Sequence, residues 1–225
     1  MHRPDCLVIV TGTGTEVGKT WTVAAMARHL RSAGRSVAAR KPAQSFAAGD
    51  AVTDAALLAE ATGAAPEEVC PAHRWYPVPL APPMAADALG RPRILLDDLI
   101  GELRWPAADV GLLEGAGGLC SPIAHDGDTL ALVERLRPDL VVLVADPALG
   151  VVSGVRLAAL ALDSTPMLVV LNRYDAGDDV HRRSLAWLRE VDRLEVVTDV
   201  VAAADALLAL IPPPEPGGPV VRTPS

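Results

Sequence analysis

The sequence contains few aromatic residues. One Phe, two Tyr and four Trp make up 3% of 225 residues, although half of the chain is hydrophobic. Ala, Leu and Val must therefore fill the core, and few rings are available for stacking on bases. The formal net charge of −8 also disfavours binding to nucleic acid or to an anionic membrane. The composition predicts that neither of these is a partner.

Cysteines and long apolar runs are also scarce. The three cysteines, Cys6, Cys70 and Cys120, are odd in number and lack the spacing of a zinc site. They are expected to be reduced, half-buried thiols. No apolar run approaches the ~18–20 residues of a membrane span, and no signal segment opens the sequence. These absences predict a cytoplasmic location.

Lysine is the rarest of the basic residues. Of the 20 Lys and Arg residues, two are Lys, at Lys19 and Lys41. Lys offers a compact ammonium point charge, whereas Arg offers a broad planar fork. Both lysines lie in motif-like segments, which points to tasks that Arg does not serve.

Apolar strand-like segments alternate with helical segments along the chain. This alternation predicts an α/β fold of the P-loop NTPase type, with a mainly parallel sheet that has helices on both faces. The predicted strands are residues 6–11, 37–40, 110–114, 140–145, 167–172 and 195–197. The predicted helices are residues 19–32, 54–62, 95–103, 129–135, 152–162, 180–190 and 202–210.

The length of the chain predicts a single domain over residues 1–211. The Pro-rich segment 71–83 (PAHRWYPVPLAPP) is predicted to be a long loop without any regular element. The Pro/Gly-rich segment 212–225 is predicted to be a disordered tail.

A glycine-rich segment, 11–20 (TGTGTEVGKT), lies between the first predicted strand and the first predicted helix. Such a loop presents backbone N–H groups and a helix dipole to phosphate oxygens. Lys19 would reach the β- and γ-phosphates, and the Thr20 hydroxyl would bind Mg²⁺. The segment therefore predicts a site for a nucleoside triphosphate.

The spacing of this loop is unusual. Five residues separate Gly12 from Gly18, where the common pattern has four, and Thr13 stands where a strict pattern has Gly. The alternative interpretation is an ordinary Gly-rich turn, which leaves Lys19 without an explanation.

Lys41 follows the second predicted strand, in the segment 40–45 (RKPAQS). The carboxyl ends of neighbouring strands in such a sheet share one crevice, so Lys41 can face the same phosphates. Pro42 stiffens the exit from the strand. The alternative is a strand-end lysine in solvent.

Three polar residues at element boundaries complete the candidate site. Glu114 ends an apolar strand before Gly115 and would lie beside Mg²⁺; the alternative is a capping carboxylate. Asp54 begins a predicted helix and could be a simple N-cap. Asn172 ends a later strand, where its amide could contact a purine edge or form a turn.

In this order, the motifs GTGTEVGKT, KPAQS, a helix-opening Asp and EGAGG resemble the dethiobiotin synthetase family. The resemblance covers about residues 6–175, and the five-residue spacing is that family's own form. It implies an ATP-dependent ligase of biotin biosynthesis. The enzyme would close the ureido ring of dethiobiotin from 7,8-diaminopelargonate and CO₂, with Mg²⁺ and ATP, as a homodimer.

The resemblance also implies roles for individual residues. Those implied for catalysis are Lys19, Lys41 and Thr15. Those implied for the nucleotide are Gly12, Thr13, Gly14, Thr15, Glu16, Val17, Gly18, Lys19, Thr20 and Asn172. Those implied for the substrate are Lys41, Ser45, Gly117, Gly150 and Ser153, and those for Mg²⁺ are Thr20, Asp54 and Glu114.

The sequence departs from the family pattern in three places. Ser153 stands where the family has Asn in the loop that meets the partner subunit's substrate, and Pro147 is unexpected just before that loop. The region after Leu194, where the family helps to hold adenine, matches poorly.

Other functions remain as alternatives. A switch ATPase of the partitioning or division-site class carries a second lysine five positions before Lys19, and Gly14 stands there in this chain. An amidoligase of cobalamin synthesis adds a glutaminase domain, for which too few residues follow Asn172. A homologue that binds nucleotide without turnover is the third alternative.

Overall fold

The computed structural model describes residues 3–211. The tail predicted over residues 212–225 lies outside the described residues, and the domain boundary at residue 211 stays a prediction. Within the described range, no helix combines the length and the apolar character needed to cross a membrane.

A parallel sheet of six strands forms the centre of the fold. Four short strands lie outside this sheet, in the pairs β3-β4 and β6-β7. All the strands of the described residues, in chain order, are β1 (Cys6–Gly12), β2 (Val37–Arg40), β3 (Gln44–Ser45), β4 (Trp75–Tyr76), β5 (Val110–Glu114), β6 (Pro122–Ala124), β7 (Gly127–Asp128), β8 (Leu140–Ala145), β9 (Met167–Leu171) and β10 (Val196–Val197). The order in the main sheet is β10-β9-β8-β1-β5-β2, and every neighbouring pair is parallel. The predicted α/β fold with a mainly parallel sheet is confirmed, and all six predicted strands are present.

The helices connect these strands in the manner of a doubly wound fold. They are α1 (Lys19–Ser32), α2 (Asp54–Thr62), α3 (Pro66–Val69), α4 (Pro82–Ala88), α5 (Leu96–Glu102), α6 (Thr129–Leu136), α7 (Val151–Leu162), α8 (Asp179–Ala186) and α9 (Val200–Leu210). A π-helical turn over Trp187–Val191 continues α8. Each of the seven predicted helices is found, and the short α3 and α4 were not predicted.

Two apolar clusters cover the two faces of the sheet. Along β1, Val8 and Val10 belong to one cluster and Ile9 to the other, as expected from the alternation of side chains along a strand. The first cluster contains residues of α1, α2 and α9, and the second contains residues of α5, α6 and α7. Because both faces are covered, the strands are apolar throughout, as parallel sheets require.

The prediction for segment 71–83 is wrong. Trp75–Tyr76 forms β4, which pairs in parallel with β3, and α4 begins at Pro82. Proline suits the first turn of a helix because the N–H that it lacks would have no partner there. The proline residues therefore mark the start of a helix, and not only an irregular loop.

The three cysteines differ in burial, although the sequence predicted the same burial for all of them. Cys6 and Cys70 are fully buried, and burial raises the pKa of their thiols to about 11 and to about 12. Cys120 is exposed. The expectation of three half-buried thiols is therefore wrong. The two buried residues act as small apolar fillers whose thiolates are strongly disfavoured at neutral pH.

Candidate functional site

The loop between β1 and α1 is anchored to the sheet at its start and ends in a glycine with a left-handed backbone. Thr13 N donates to Val144 O at 3.0 Å, and Gly18 precedes the first residue of α1 with φ of 94°. A Cβ at Gly18 would lie 2.0 Å from Asn172 Nδ2. Gly18 is therefore required both by its left-handed backbone and by the close approach of Asn172.

Lys19 folds back over its own loop. Its Nζ donates to Gly14 O at 2.9 Å, and the residue is buried, with 8% of its surface exposed. Burial lowers the pKa of its ammonium group, while attraction by Glu114 opposes that shift. The lysine is thus held over the loop at the N-terminus of α1, on the side where phosphate would bind.

Four side chains from four separate segments meet beside this loop. Lys41 Nζ lies 2.6 Å from Glu114 Oε1 and 2.6 Å from Asp54 Oδ2. Thr20 Oγ1 lies within hydrogen-bond distance of the same two carboxylates, 2.8 Å from Glu114 Oε1 and 3.0 Å from Asp54 Oδ1, and can donate its one hydrogen to either. We call Thr20, Lys41, Asp54 and Glu114 the acid–lysine cluster. It forms where β2 and β5, which are neighbours in the sheet, both end.

The charges of the cluster stabilise one another. Burial alone would lower the pKa of the Lys41 ammonium, but Glu114 and Asp54 outweigh it and raise that pKa. Burial alone would raise the pKa of Asp54, but Lys41 and Thr20 together lower it. Burial raises the pKa of Glu114 despite the attraction of Lys41. Lys41 therefore stays cationic and Asp54 anionic at neutral pH.

The oxygen atoms of the cluster fit a magnesium ion. Glu114 Oε2 is buried and has no hydrogen-bond partner within residues 3–211. In the same range, no group of three or more His, Cys, Asp or Glu side chains could hold a metal ion alone. Mg²⁺ commonly takes one or two carboxylates and completes its shell with substrate phosphates and water. Thr20, Asp54 and Glu114 offer such a partial set of ligands.

Local structure decides between the alternatives for Asp54 and Glu114. The N-cap of α2 is Thr53, whose Oγ1 accepts from Ala56 N at 3.3 Å. The interpretation of Asp54 as a simple N-cap is therefore wrong, since Asp54 is the first helical residue and turns toward Lys41. Glu114 contacts Lys41 and Thr20 through its carboxylate, so it is not a capping residue.

The segment after Glu114 packs directly against the loop between β1 and α1. Leu119 N donates to Gly12 O at 3.0 Å, and a Cβ at Gly118 would lie 3.5 Å from Gly14 N. Gly117 has φ of 63°, and a Cβ there would lie 3.8 Å from Thr15 Cγ2. Glycine is required at Gly117 by its left-handed backbone and by Ser121, whose Oγ would lie 2.6 Å from a Cβ there.

Asn172 is hydrogen-bonded to the loop between β1 and α1, which we call the phosphate loop (residues 12–20). Its Nδ2 donates to Val17 O at 2.9 Å in a buried bond that joins residues 155 positions apart. The interpretation of Asn172 as a turn former misses this contact. Thr15 and Glu16, by contrast, are exposed in the loop, and Glu16 has φ of 57°.

The remaining predicted residues belong to other elements, and no hydrogen bond within residues 3–211 joins their side chains to the cluster. Ser45 is half-buried in β3, next to Gln44. Gly150 caps α7 with φ of 101°, and Ser153 is exposed on that helix. A Cβ at Gly154 would lie 3.4 Å from Thr13, so the start of α7 borders the phosphate loop on the side away from β2.

Sequence reasoning missed two residues of this region. Gln44 Oε1 accepts from Ala55 N at 2.9 Å, directly after Asp54, and Ser121 Oγ accepts from Gly118 N at 2.8 Å. Gln44 belongs to the KPAQS motif, which was the available signal. Ser121 gave no comparable signal, because its role depends on a turn that the sequence pattern does not reveal.

Solved structures share this fold at low sequence identity. A plasmid partition protein from Borrelia burgdorferi B31, solved with AMPPNP, aligns with a TM-score of 0.53 and 12% identity over 92% of this chain and 98% of that one. The cell division ATPase MinD from Pyrococcus furiosus aligns with a TM-score of 0.50 and 21% identity, over 92% and 89%. These likenesses establish the P-loop fold alone.

Comparisons of sequence identify the family, which the comparisons of structure do not. A family model described as an AAA domain matches residues 7–205. The ATP-dependent dethiobiotin synthetase of Streptomyces coelicolor is 36% identical over 89% of this chain and 86% of its own. The synthetase of Caulobacter sp. (strain K31) is 36% identical over 94% of this chain and 98% of its own. The synthetase of Mycolicibacterium gilvum is 41% identical over 69% of this chain and 68% of its own. With its AAA domain, the chain belongs to the dethiobiotin synthetase family.

Proposed function

We propose that this chain closes the ureido ring of dethiobiotin from 7,8-diaminopelargonate and CO₂, with ATP as co-substrate, in biotin biosynthesis. The observation that carries the proposal is the acid–lysine cluster beside the phosphate loop. The names of relatives that span most of the chain support the same reaction. The cluster supplies a buried cation and metal-type oxygens where the terminal phosphate of ATP would lie.

The reaction divides into three steps. An amine of the substrate attacks the carbon of CO₂ and loses a proton, which forms a carbamate. A carbamate oxygen then attacks the γ-phosphorus, the bond to ADP breaks, and a carbamic–phosphoric anhydride forms. The second amine attacks the carbonyl carbon, closes the ring and expels phosphate. No protein nucleophile takes part, so the enzyme contributes positioning and charge neutralisation.

Two lysines supply most of that positive charge in our proposal. Lys19 would bind the β- and γ-phosphates, and Lys41 would lie near the carbamate and the γ-phosphate. Thr15 adds an exposed hydroxyl at the same loop. The raised pKa of Lys41 keeps its ammonium group charged while negative charge collects on the transferring group.

We assign Mg²⁺ to Thr20, Asp54 and Glu114. The buried, unpartnered Glu114 Oε2 supports this assignment. When bound, the ion would neutralise phosphate charge during transfer. Thr20, Asp54 and Glu114 would hold the ion, and the same two carboxylates hold Lys41 beside them.

We assign the remaining contacts by position along the same crevice. The nucleotide would bind to residues 12–20, with its adenine near Asn172. The substrate would extend past Ser45 and Gly117 toward Gly150 and Ser153. One N–H of the Asn172 amide already binds Val17 O, so its amide oxygen and second N–H are the groups left for adenine.

We infer that the enzyme acts as a homodimer in the cytoplasm. Leu157 and Leu160 on α7 expose 65% and 78% of their surface, and Leu149 just before the helix exposes 92%. Ser153 lies on the same face of α7, since residues four apart are neighbours on a helix. An exposed apolar face of this kind favours a protein interface, and free cysteines are compatible with a reducing compartment.

Phosphate release separates this function from the alternatives. Purified protein receives Mg-ATP and bicarbonate, with and without 7,8-diaminopelargonate. We expect phosphate to be released only when 7,8-diaminopelargonate is present. Release that is indifferent to the diamine would favour a switch ATPase or another acceptor, and nucleotide binding without release would favour a non-catalytic homologue.

A further inference from the structure

Gln44 is a buried polar residue three positions after Lys41. It exposes 1% of its surface, and its Oε1 accepts from Ala55 N at 2.9 Å. Because the partner is an N–H donor, the accepting atom must be the amide oxygen, which fixes how the amide group is turned. Ala55 directly follows Asp54, so this bond anchors the backbone next to a carboxylate of the acid–lysine cluster.

The bond adds a second acceptor to the ordinary cap of α2, which is Thr53. The first N–H groups of a helix have no partner within the helix. In α2, Thr53 Oγ1 accepts from Ala56 N at 3.3 Å, whereas Gln44 makes the shorter bond from outside the helix. Gln44 thus ties the start of α2 to β3, and the direction of the Asp54 side chain depends on where that first turn is held.

Packing alone does not explain why a glutamine is buried at position 44. Its Nε2 is buried and has no hydrogen-bond partner within the described range. An unpaired buried amide destabilises the fold, and an apolar side chain of similar size would avoid this. The cost favours a role for the one bond that the amide does make, which is the bond beside Asp54.

We propose that Gln44 is a positioning residue that holds the Asp54 carboxylate in place for the metal ion. This inference rests on the proposed function, and in particular on the assignment of Asp54 to Mg²⁺. Gln44 does not touch the metal in this account. It keeps Asp54 within reach of both Lys41 and Thr20, so that the two acids present a preformed set of oxygens.

The test measures metal binding without turnover. Mn²⁺ serves as the probe, and its affinity is measured by electron paramagnetic resonance on the full chain loaded with a non-hydrolysable ATP analogue. Gln44→Leu removes the acceptor and should weaken Mn²⁺ binding by about 10- to 100-fold. Affinity for the nucleotide without metal should stay at the native value. Gln44→Glu keeps an acceptor oxygen and should restore most of the affinity for Mn²⁺.

Thr53→Ala is the matched control, because it removes the neighbouring cap bond and leaves Gln44 intact. It should lower the melting temperature while Mn²⁺ affinity remains near the native value. If Gln44→Leu does not fold, Gln44→Asn takes its place, since the shorter side chain withdraws the same oxygen.

Two results would overturn the role of Gln44: native Mn²⁺ affinity in folded Gln44→Leu, or an equal loss of affinity in Thr53→Ala. The second result would mean general fraying of α2. A native chain that binds no Mn²⁺ with nucleotide would instead contradict the metal assignment, and the role of Gln44 would fall with it.

Discussion

Lys41 contacts two carboxylates at once, and this geometry limits what can replace it. Its Nζ lies 2.6 Å from an oxygen of Asp54 and 2.6 Å from one of Glu114, and the residue exposes 4% of its surface. A guanidinium group is planar and broader than an ammonium group. A residue at position 41 therefore needs the compact shape of an ammonium group as well as its positive charge.

Lys41→Arg should lower turnover by at least ~100-fold, because the displaced cation no longer stabilises the transferring phosphoryl group. Nucleotide affinity should remain within about tenfold, or ~1.4 kcal/mol. Phosphate release and calorimetric titration with an ATP analogue measure the two effects. Arg28→Lys, at an exposed ion pair with Glu60, is the control and should behave as the native chain. Full activity in Lys41→Arg would remove Lys41 from the mechanism.

Asp54 should contribute stability that acid removes. Its pKa is lowered from 3.8, so its contribution is present above that value and is lost as pH falls through the lowered folded pKa. The difference in unfolding free energy between the native chain and Asp54→Asn should therefore narrow as the pH falls below 3.8 and through the lowered folded pKa of Asp54. Denaturant unfolding at several pH values measures it.

Asp98→Asn is the control for this comparison. Asp98 is exposed on α5 and forms no ion pair with any residue from 3 to 211. The substitution removes a surface carboxylate without touching the acid–lysine cluster. A difference for Asp54→Asn that stays constant across the acid range would show that Asp54 ionisation does not stabilise the fold.

At the scale of elements, the junction of β1 and α1 depends on contact with the end of β9. Gly18 has φ of 94°, and Asn172 from the end of β9 occupies the space where a side chain would start. Gly34, just after α1, has φ of 83° but no atom within 4 Å of a built Cβ. The two glycines share a backbone conformation and differ in surroundings.

Gly18→Ala should displace Asn172 from Val17 O and reduce ATP affinity by more than about tenfold, or ~1.4 kcal/mol. Gly34→Ala should carry only the backbone strain, roughly 1–2 kcal/mol of unfolding free energy, with unchanged ATP affinity. Binding titrations and denaturant unfolding separate the effects. Equal ATP affinities in both variants would mean that the contact with Asn172 does not shape the phosphate loop.

The central elements could be predicted from the sequence because their signals are local. The strands are runs of Val, Leu and Ile long enough to cross a buried sheet, and α1 follows the glycine-rich loop. The two-residue strands β3 and β4 have no periodicity to detect. The start of α4 was missed because proline marks both loops and first helical turns.

The site was predictable only in part for a related reason. Lys41 and Glu114 end strands, and ends of neighbouring strands meet, so their approach could be expected. The bonds from Gln44 to Ala55 and from Asn172 to Val17 join side chains to backbone groups elsewhere in the fold. Such bonds depend on the packing of whole elements, which the sequence pattern does not encode locally.

At the scale of the whole molecule, α7 and the residue Leu149 just before it present the three most exposed large apolar side chains among those described. Leu157 and Leu160 lie on one face of the helix, whose N-terminal end borders the phosphate loop. A partner subunit on this face would lie close to the substrate path that we propose. Assembly and activity should therefore depend on the same surface.

Leu157→Asp should convert the proposed dimer to monomer, because a charge buried in an apolar interface is strongly unfavourable. Its activity should fall with the loss of the dimer. Sedimentation velocity and phosphate release measure the two properties. Leu210→Asp, at an exposed leucine on α9, is the control and should remain dimeric. A native chain that is monomeric, or a dimeric Leu157→Asp, would contradict the proposed interface.

In the proposed reaction, ATP cleavage drives closure of a ring around one carbon from CO₂. Purified protein is incubated with ¹³C-bicarbonate, Mg-ATP and 7,8-diaminopelargonate, and mass spectrometry then quantifies ADP and the cyclic product. We predict one labelled carbonyl in each product molecule and one ADP for each product molecule formed. ADP produced without a labelled cyclic product would contradict it.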